Sequence, residues 1–77
     1  MTQTELEALQ EAIRVAGTQK ALASLLGINE AAISQWKHSR VPGLRVIAIE
    51  KATGVRRERL RPDLYPDDEV PGQASSD

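Results

Sequence analysis

Apolar residues recur at spacings of three and four along the chain from Leu6 to Leu60, a pattern typical of amphipathic helices. Sustained alternation of apolar and polar residues, the pattern of a half-buried strand, is missing. The best strand candidate is Val41–Ile49, and it contains Pro42 and Gly43, which disfavour a strand there. The pattern therefore predicts an all-α fold.

Capping residues divide this pattern into four helices and a short fifth one. The expected helices run from Thr4 to about Ala16, over Gln19–Leu26, from Glu30 to His38 or Ser39, from about Leu44 to Ala52, and over Arg56–Leu60. Thr4, Thr18 and Asn29 are the expected N-caps, because their side-chain oxygens can accept from the first free backbone N–H groups. Gly17 and Gly27 end the first two helices.

The same spacing predicts which side chains form the core. The residues expected to face inward or toward a neighbouring helix are Leu6, Leu9, Ile13, Ala16, Leu22, Ala23, Leu25, Leu26, Ile28, Ala32, Ile33, Trp36, Leu44, Ile47 and Val55. Val46 and Ile49 are further candidates in the fourth helix. From Pro66 onward acids, Gly, Ser and Pro dominate, so residues 1–65 are expected to form the domain and residues 66–77 a disordered acidic tail.

The bulk composition limits the possible chemistry. A chain of 77 residues suits one small domain, and the absence of Cys excludes disulfides and thiolate metal sites. No second His accompanies His38 to complete a zinc set, so neither a metal nor a cofactor is expected. The chain shows no leader and no membrane-spanning run, so a cytoplasmic location is expected.

Charge is distributed unevenly along the chain. All ten Lys and Arg residues lie between Arg14 and Arg61, a stretch with only three acids and a formal charge of +7, although the whole chain carries −1. An acidic start and an acidic tail flank this basic middle. Such asymmetry is typical of proteins with a polyanionic partner, although the same cations could simply solvate helix surfaces.

The segment Gln19–His38 has the pattern of a helix-turn-helix. Two helices are joined by about three residues beginning with Gly27, and small Ala23 lies where the helices must approach closely. Ile28 and Ile33 are placed to hold the second helix against the core. This pattern favours a motif whose second helix enters a DNA major groove, with a plain helical hairpin as the alternative.

Three stretches carry a resemblance to a known family: TQKALASLLGIN, AAISQWKHSRVPGLRVIAIEKATG and ERLRPDLYP, between Gly17 and Pro66. They resemble the Cro repressors of temperate phages, and most closely their YdaS-like antitoxin relatives. The resemblance implies a compact Cro/lambda-repressor-like domain that binds operator DNA in a bacterial host cell, and represses phage, prophage or its own toxin–antitoxin promoters. Ala31 and Ala32 stand where such relatives often carry Gln, which leaves the operator open.

Candidate contacts follow from the helix geometry. The expected base contacts, on the face opposite Ile33, are Glu30, Ala31, Ser34, Gln35 and His38. The expected phosphate contacts are Gln19, Lys20, Asn29, Lys37, Ser39, Arg40 and Arg45. Gln35 suits adenine, and Ala31 offers a methyl group for thymine. Glu30 could instead serve the helix dipole, and Trp36 is assigned to the core rather than to base stacking.

Partners are predicted from the same motif. One reading helix covers few base pairs, so a homodimer on a palindromic double-stranded operator is expected. Its interface candidates are Ile49, Val55, Leu60, Leu64 and Tyr65, each of which could equally belong to the core. The alternative function is an antitoxin-type module whose main partner is a toxin protein, bound through the domain or the acidic tail. No constellation of residues supports an enzyme.

Overall fold

The computed structural model describes residues 2–66, which fold into five helices. They are α1 (Gln3–Ala16), α2 (Gln19–Leu26), α3 (Glu30–His38), α4 (Gly43–Thr53) and α5 (Arg57–Leu60). The described residues contain no strand, so the all-α prediction is confirmed. Apart from Pro66, the predicted acidic tail lies outside the described residues.

The N-cap of α1 differs from the prediction. Thr2 is the cap, because its Oγ1 accepts a hydrogen bond from the backbone N–H of Glu5 at 3.1 Å. The assignment of the cap to Thr4 is wrong, since the earlier start places Glu5 in the first helical turn with its side chain buried. Thr18 and Asn29 cap α2 and α3 as predicted.

One core joins all the helices. α1 packs against α2, α4 and α5, and α2 also packs against α3 and α4. The buried hydrophobic residues are Ala8, Leu9, Ala12, Leu22, Ala23, Ile33, Trp36, Val41, Val46, Ile49, Val55 and Leu60. Because α2 is the main helix neighbour of α3, most of the circumference of α3 remains accessible.

The buried faces of α1 and α2 are narrower than predicted. In α1 the line of contact passes through Leu9 and the small residues Ala8 and Ala12. The predicted members Leu6, Ile13 and Ala16 are only half-buried at the edges of that line. In α2 the inward placement of Leu25 is wrong: it is 59% exposed. Leu22 and Ala23 on the adjoining face already fill the contact.

The inward face of α4 also differs from the prediction. Val46 and Ile49 are fully buried, whereas Ile47 is half-buried and Leu44 is 79% exposed. The assignment of Leu44 to the core is wrong. The segment from Leu44 to Ile49 is apolar except for Arg45, so its periodicity leaves the phase of the helix undetermined. Packing against α1, α2 and α5 decides it.

Three of the five interface candidates belong to the core of this chain. Ile49, Val55 and Leu60 are buried among the helices, so they are not available as an interface and that prediction is wrong for them. Leu64 is 48% exposed and Tyr65 is half-buried against the core. The short fifth helix is confirmed, one residue later than expected.

Candidate nucleic-acid interface

The turn between α2 and α3 is closed by glycine and by backbone hydrogen bonds. Gly27 has φ +70° and ψ +33°, the left-handed conformation that glycine adopts without a steric cost. Its N–H donates to the carbonyl of Ser24 at 3.2 Å, and the N–H of Ile28 donates to that of Ala23 at 3.0 Å. The two helices are thereby joined by the tight turn that the sequence predicts.

The orientation of α3 is fixed by its cap and by two buried side chains. The Oδ1 atom of Asn29 accepts from the backbone N–H of Ala31 at 2.8 Å. Ile33 is fully buried and Trp36 is 6% exposed, which confirms the assignment of Trp36 to the core. The opposite side of the helix carries the residues predicted to contact bases, all of them exposed: Glu30, Ala31, Ser34, Gln35 and His38.

A side-chain hydrogen bond connects the first turn of α2 to the exposed side of α3. The Nε2 atom of Gln19 donates to the Oγ of Ser34 at 2.7 Å, and lies 3.4 Å from the carbonyl oxygen of Glu30. Gln19 is a predicted phosphate contact, and in this position it also supports α3. Nothing in the spacing of these residues, 15 apart in the chain, indicates the bond.

Three cations in or shortly after the helix-turn-helix have no carboxylate partner among residues 2–66. Lys20 lies in the first turn of α2, Lys37 in the last turn of α3, and Arg45 near the start of α4. None of them forms an ion pair with any of residues 2–66. We call these three residues the free cations, and their charge is available to an external anion.

The two residues after α3, unlike the free cations, have partners within the fold. Ser39 caps α3, and its hydroxyl donates to the carbonyl of Gln35 at 3.0 Å. Arg40 follows, and its guanidinium donates to both carboxylate oxygens of Glu5, from Nε at 3.1 Å and from Nη2 at 2.7 Å. The side chain of Glu5 is only 1% exposed. Sequence reasoning missed this pair, and its separation of 35 residues leaves no local signal.

The Arg40 pair extends into a network that reaches the segment after α5. Nη2 of Arg40 also lies 3.2 Å from Asp63, which accepts two hydrogen bonds from Arg61. Arg61 in turn donates to the carbonyl of Val41 at 2.8 Å. The hydrogen bonds from Arg61, with the charge of Arg40, lower the pKa of Asp63 to about 2. The linker after α3 is therefore fixed on both sides.

Three arginines in or next to α5, Arg56, Arg57 and Arg59, are paired within the fold. Glu58, Glu50 and Glu11 hold them in ion pairs at 3.2, 2.8 and 2.6 Å. With Arg40 and Arg61 they form a set that we call the paired arginines: Arg40, Arg56, Arg57, Arg59 and Arg61. Arg57 also lies over the ring of Tyr65, 5.6 Å from its centre.

Two further findings concern other kinds of site. Within residues 2–66, no three His, Cys, Asp or Glu side chains are grouped so that they could hold a metal ion. None of the five described helices has the length and apolar character needed to cross a membrane.

Comparison with known proteins agrees with this geometry. Residues 9–69 match the family described as bacterial toxin YdaS. A protein of Escherichia coli strain K12, which carries the provisional name transcriptional regulator YdaS, is 41% identical over 59 residues. The match covers 71% of this chain, which spans about 60% of the length of that relative.

A solved structure shares the fold. The Cro protein from the prophage element Xfaso 1 of Xylella fastidiosa strain Ann-1 superposes with a TM-score of 0.75 and is 41% identical. The match covers 78% of this chain and 97% of that protein. The resemblance indicated by the sequence motifs is thus confirmed. The chain belongs to the YdaS family, and its helices have the Cro fold with its helix-turn-helix.

Proposed function

We propose that this protein is a transcriptional regulator that binds double-stranded DNA, with α3 in the major groove. The observation that carries the proposal is the exposed side of α3, together with three cations in or shortly after the helix-turn-helix that no carboxylate among residues 2–66 neutralises. Phosphates are the anions that such cations suit. The names of the Escherichia coli relative and of the Cro protein support a role in transcription.

Direct readout falls mainly to Gln35. Its side-chain amide has no hydrogen-bond partner among residues 2–66, and it lies on the exposed side of α3. A glutamine amide can bind the N6 and N7 atoms of adenine together. Ser34 has its oxygen occupied by Gln19, so its hydroxyl hydrogen remains for a base or a phosphate. Ala31 and His38 complete the reading surface, and Glu30 serves first as the acid in the first turn of α3.

Phosphate binding falls mainly to the free cations Lys20, Lys37 and Arg45. Gln19, Asn29 and Ser39 border the same surface, and each also makes an internal hydrogen bond. Arg40 is a predicted phosphate contact as well, but its guanidinium is already committed to Glu5 and Asp63. We therefore assign Arg40 chiefly to fixing the linker after α3.

Two copies would act together on a palindromic operator. A dimer presents two reading helices to half-sites about 34 Å apart and thereby multiplies the few base contacts of one helix. Leu64 and Tyr65 keep surface on the side of the linker, and exposed Leu44 lies close by because Leu64 packs over Gly43. Bound across a promoter, including that of its own operon, the dimer would repress by excluding polymerase.

A second function rests on the family description. Because the matching family is described as a bacterial toxin, a protein partner within a toxin–antitoxin pair remains a candidate. Removing residues 66–77 separates the two functions. A DNA-binding regulator keeps its operator affinity, or gains some as the acids leave, whereas a module that acts through its tail loses its protein partner.

Selection of bound sites from a random duplex pool tests the proposed function. The full chain should enrich a palindromic motif, and Gln35→Ala should enrich it poorly. Gln10→Ala, which removes an exposed glutamine from α1, is the matched control and should enrich the same motif as the natural chain. A pool that stays random after repeated rounds would contradict sequence-specific DNA binding.

A further inference from the structure

The exposed side of α3 contains a shallow depression that phosphate binding does not explain. It is lined by Asn29, Ala31, Ala32, Ser34, Gln35 and His38. Most of its surface is apolar, although the free cations lie in or shortly after the same helix-turn-helix. A surface that only had to hold phosphates would gain nothing from an apolar hollow at its centre.

Two of the polar atoms around the hollow are already bonded to internal partners. The Oδ1 atom of Asn29 accepts from the N–H of Ala31, and the Oγ of Ser34 accepts from Gln19. Ala31 is exposed and Ala32 is half-buried. Both alanines line the hollow, and so does Gln35, whose amide has no hydrogen-bond partner among residues 2–66.

The major groove of DNA offers one apolar group, the C5 methyl of thymine. The other bases present only hydrogen-bond donors and acceptors along that edge. 5-Methylcytosine carries its methyl on the same ring carbon as thymine, so the two present the same apolar shape. We propose that the hollow binds the C5 methyl group of a pyrimidine in the operator. The inference rests on the proposed function and names the base chemistry that α3 reads.

The position of Gln35 adds a constraint on the operator. An amide that binds adenine next to a hollow that binds a pyrimidine methyl group selects an A·T pair with a methyl-bearing pyrimidine in the same pair or in the next one. The methyl comes either from the thymine opposite that adenine or from the next pair along the groove. Each half-site should therefore contain one pyrimidine at which the methyl group, rather than a hydrogen bond, decides affinity.

Thymine-to-uracil replacement in the selected operator tests the inference, because uracil lacks only the methyl group. Each thymine is replaced in turn, in both half-sites, and the affinity of the full chain is measured. At one position the dissociation constant should rise about fourfold per half-site, as expected for withdrawing one methyl group from an apolar contact. With cytosine at that position, methylation of its C5 should tighten binding by about the same factor.

A substitution in the lining of the hollow tests whether the hollow causes the difference in affinity between thymine and uracil. Ala31→Ser adds a hydroxyl there, and it should bring the ratio of thymine to uracil affinities close to one. Ala52→Ser is the matched control, since Ala52 is exposed on α4 outside the hollow, and it should keep the ratio of the natural chain. Circular dichroism confirms that both variants are folded.

The possible outcomes separate the methyl site from the proposed function. An operator bound specifically but insensitive to every uracil replacement overturns the methyl site and leaves the proposed function standing. A thymine effect that survives Ala31→Ser also overturns the site, because the methyl is then read elsewhere. The absence of any selected operator would instead overturn the proposed function.

Discussion

The free cations and the paired arginines lie in the same basic stretch of the chain, yet they have different surroundings. Lys20, Lys37 and Arg45 lie in or shortly after the helix-turn-helix and meet no carboxylate among residues 2–66. The paired arginines hold Glu5, Glu11, Glu50, Glu58 and Asp63. Half of the ten Lys and Arg residues are thus committed within the fold.

The difference shows that charge along the sequence overstates the charge available to a partner. Glu5, Glu11 and Asp63 lie outside the basic stretch in the sequence. In the folded chain they form ion pairs with arginines of that stretch. Five cations form no ion pair among residues 2–66: the free cations Lys20, Lys37 and Arg45, and also Arg14 and Lys51. A basic surface is therefore located by unpaired cations rather than by the count of Lys and Arg.

Removal of Glu5 should have the largest effect, and it should act on stability. Glu5→Ala deletes a buried carboxylate that accepts two charged hydrogen bonds, so the free energy of unfolding should fall by about 3 kcal/mol. For a domain of this size, that corresponds to a fall in Tm of roughly 15 °C. Thermal unfolding followed by circular dichroism measures it.

Glu7→Ala is the matched control for Glu5→Ala. Glu7 lies on the same helix, is exposed, and accepts only from Gln3. Its loss should change the free energy of unfolding by no more than about 0.5 kcal/mol. Equal losses from the two variants would show that the pair between Glu5 and Arg40 does not stabilise the fold.

Gln35→Ala should have the next largest effect, and it should act on specificity. Losing a bidentate base contact should cost about 1–3 kcal/mol on the selected operator and almost nothing on random duplex. Fluorescence anisotropy with both duplexes measures the difference. If the affinity for the two duplexes falls equally, α3 does not read bases through Gln35.

Lys37→Ala should have a smaller effect that is the same on every duplex. Losing one phosphate contact in each protomer should weaken binding to operator and random DNA alike and reduce the salt slope by about 0.9 per bound protomer. Lys51→Ala is its matched control, because Lys51 is an exposed lysine in the last turn of α4. Lys51→Ala should leave the slope unchanged, and a change equal to that of Lys37→Ala would count against the placement of the interface.

Protonation of Asp63 should have the smallest effect. Its pKa of about 2 in the folded chain lies below the ordinary value of 3.8, so the unfolded chain takes up the proton first as pH falls. Its contribution to stability is complete above about pH 4 and is lost as pH falls toward 2. The difference in Tm between the natural chain and Asp63→Asn should shrink over that interval. A constant difference would contradict the role of Arg61.

The helix-turn-helix could be predicted from local signals, but the phases of the other helices could not. Gly27, Asn29 and Ile33 act through near neighbours, so the caps, the turn and the exposed face of α3 follow from spacing. The face of α4 depends on packing, because Val46 and Ile47 are equally apolar. The two threonines near the N-terminus are equally good caps, and burial of Glu5 against the distant Arg40 selects between them.

The ion pair between Arg40 and Glu5 could not be predicted from local sequence patterns either, but for a different reason. Arg40 follows Ser39, the residue that ends α3, and in the sequence it has the context of a phosphate contact. Its partner Glu5 has the context of an exposed acid in a first helical turn. They meet only because α1 packs close to the linker after α3 in the folded chain. Hydrogen bonds between residues 35 apart produce no periodic pattern in the sequence.

Salt dependence of operator binding tests the central comparison most directly. One variant changes all three free cations to alanine, and the other changes Arg56, Arg57 and Arg59 to glutamine, so each loses three positive charges. The slope of log K against log salt should fall by about three per bound protomer for the first variant and stay unchanged for the second. Equal falls in slope would contradict the claim that the cations around α3, and not the paired arginines, bind the DNA.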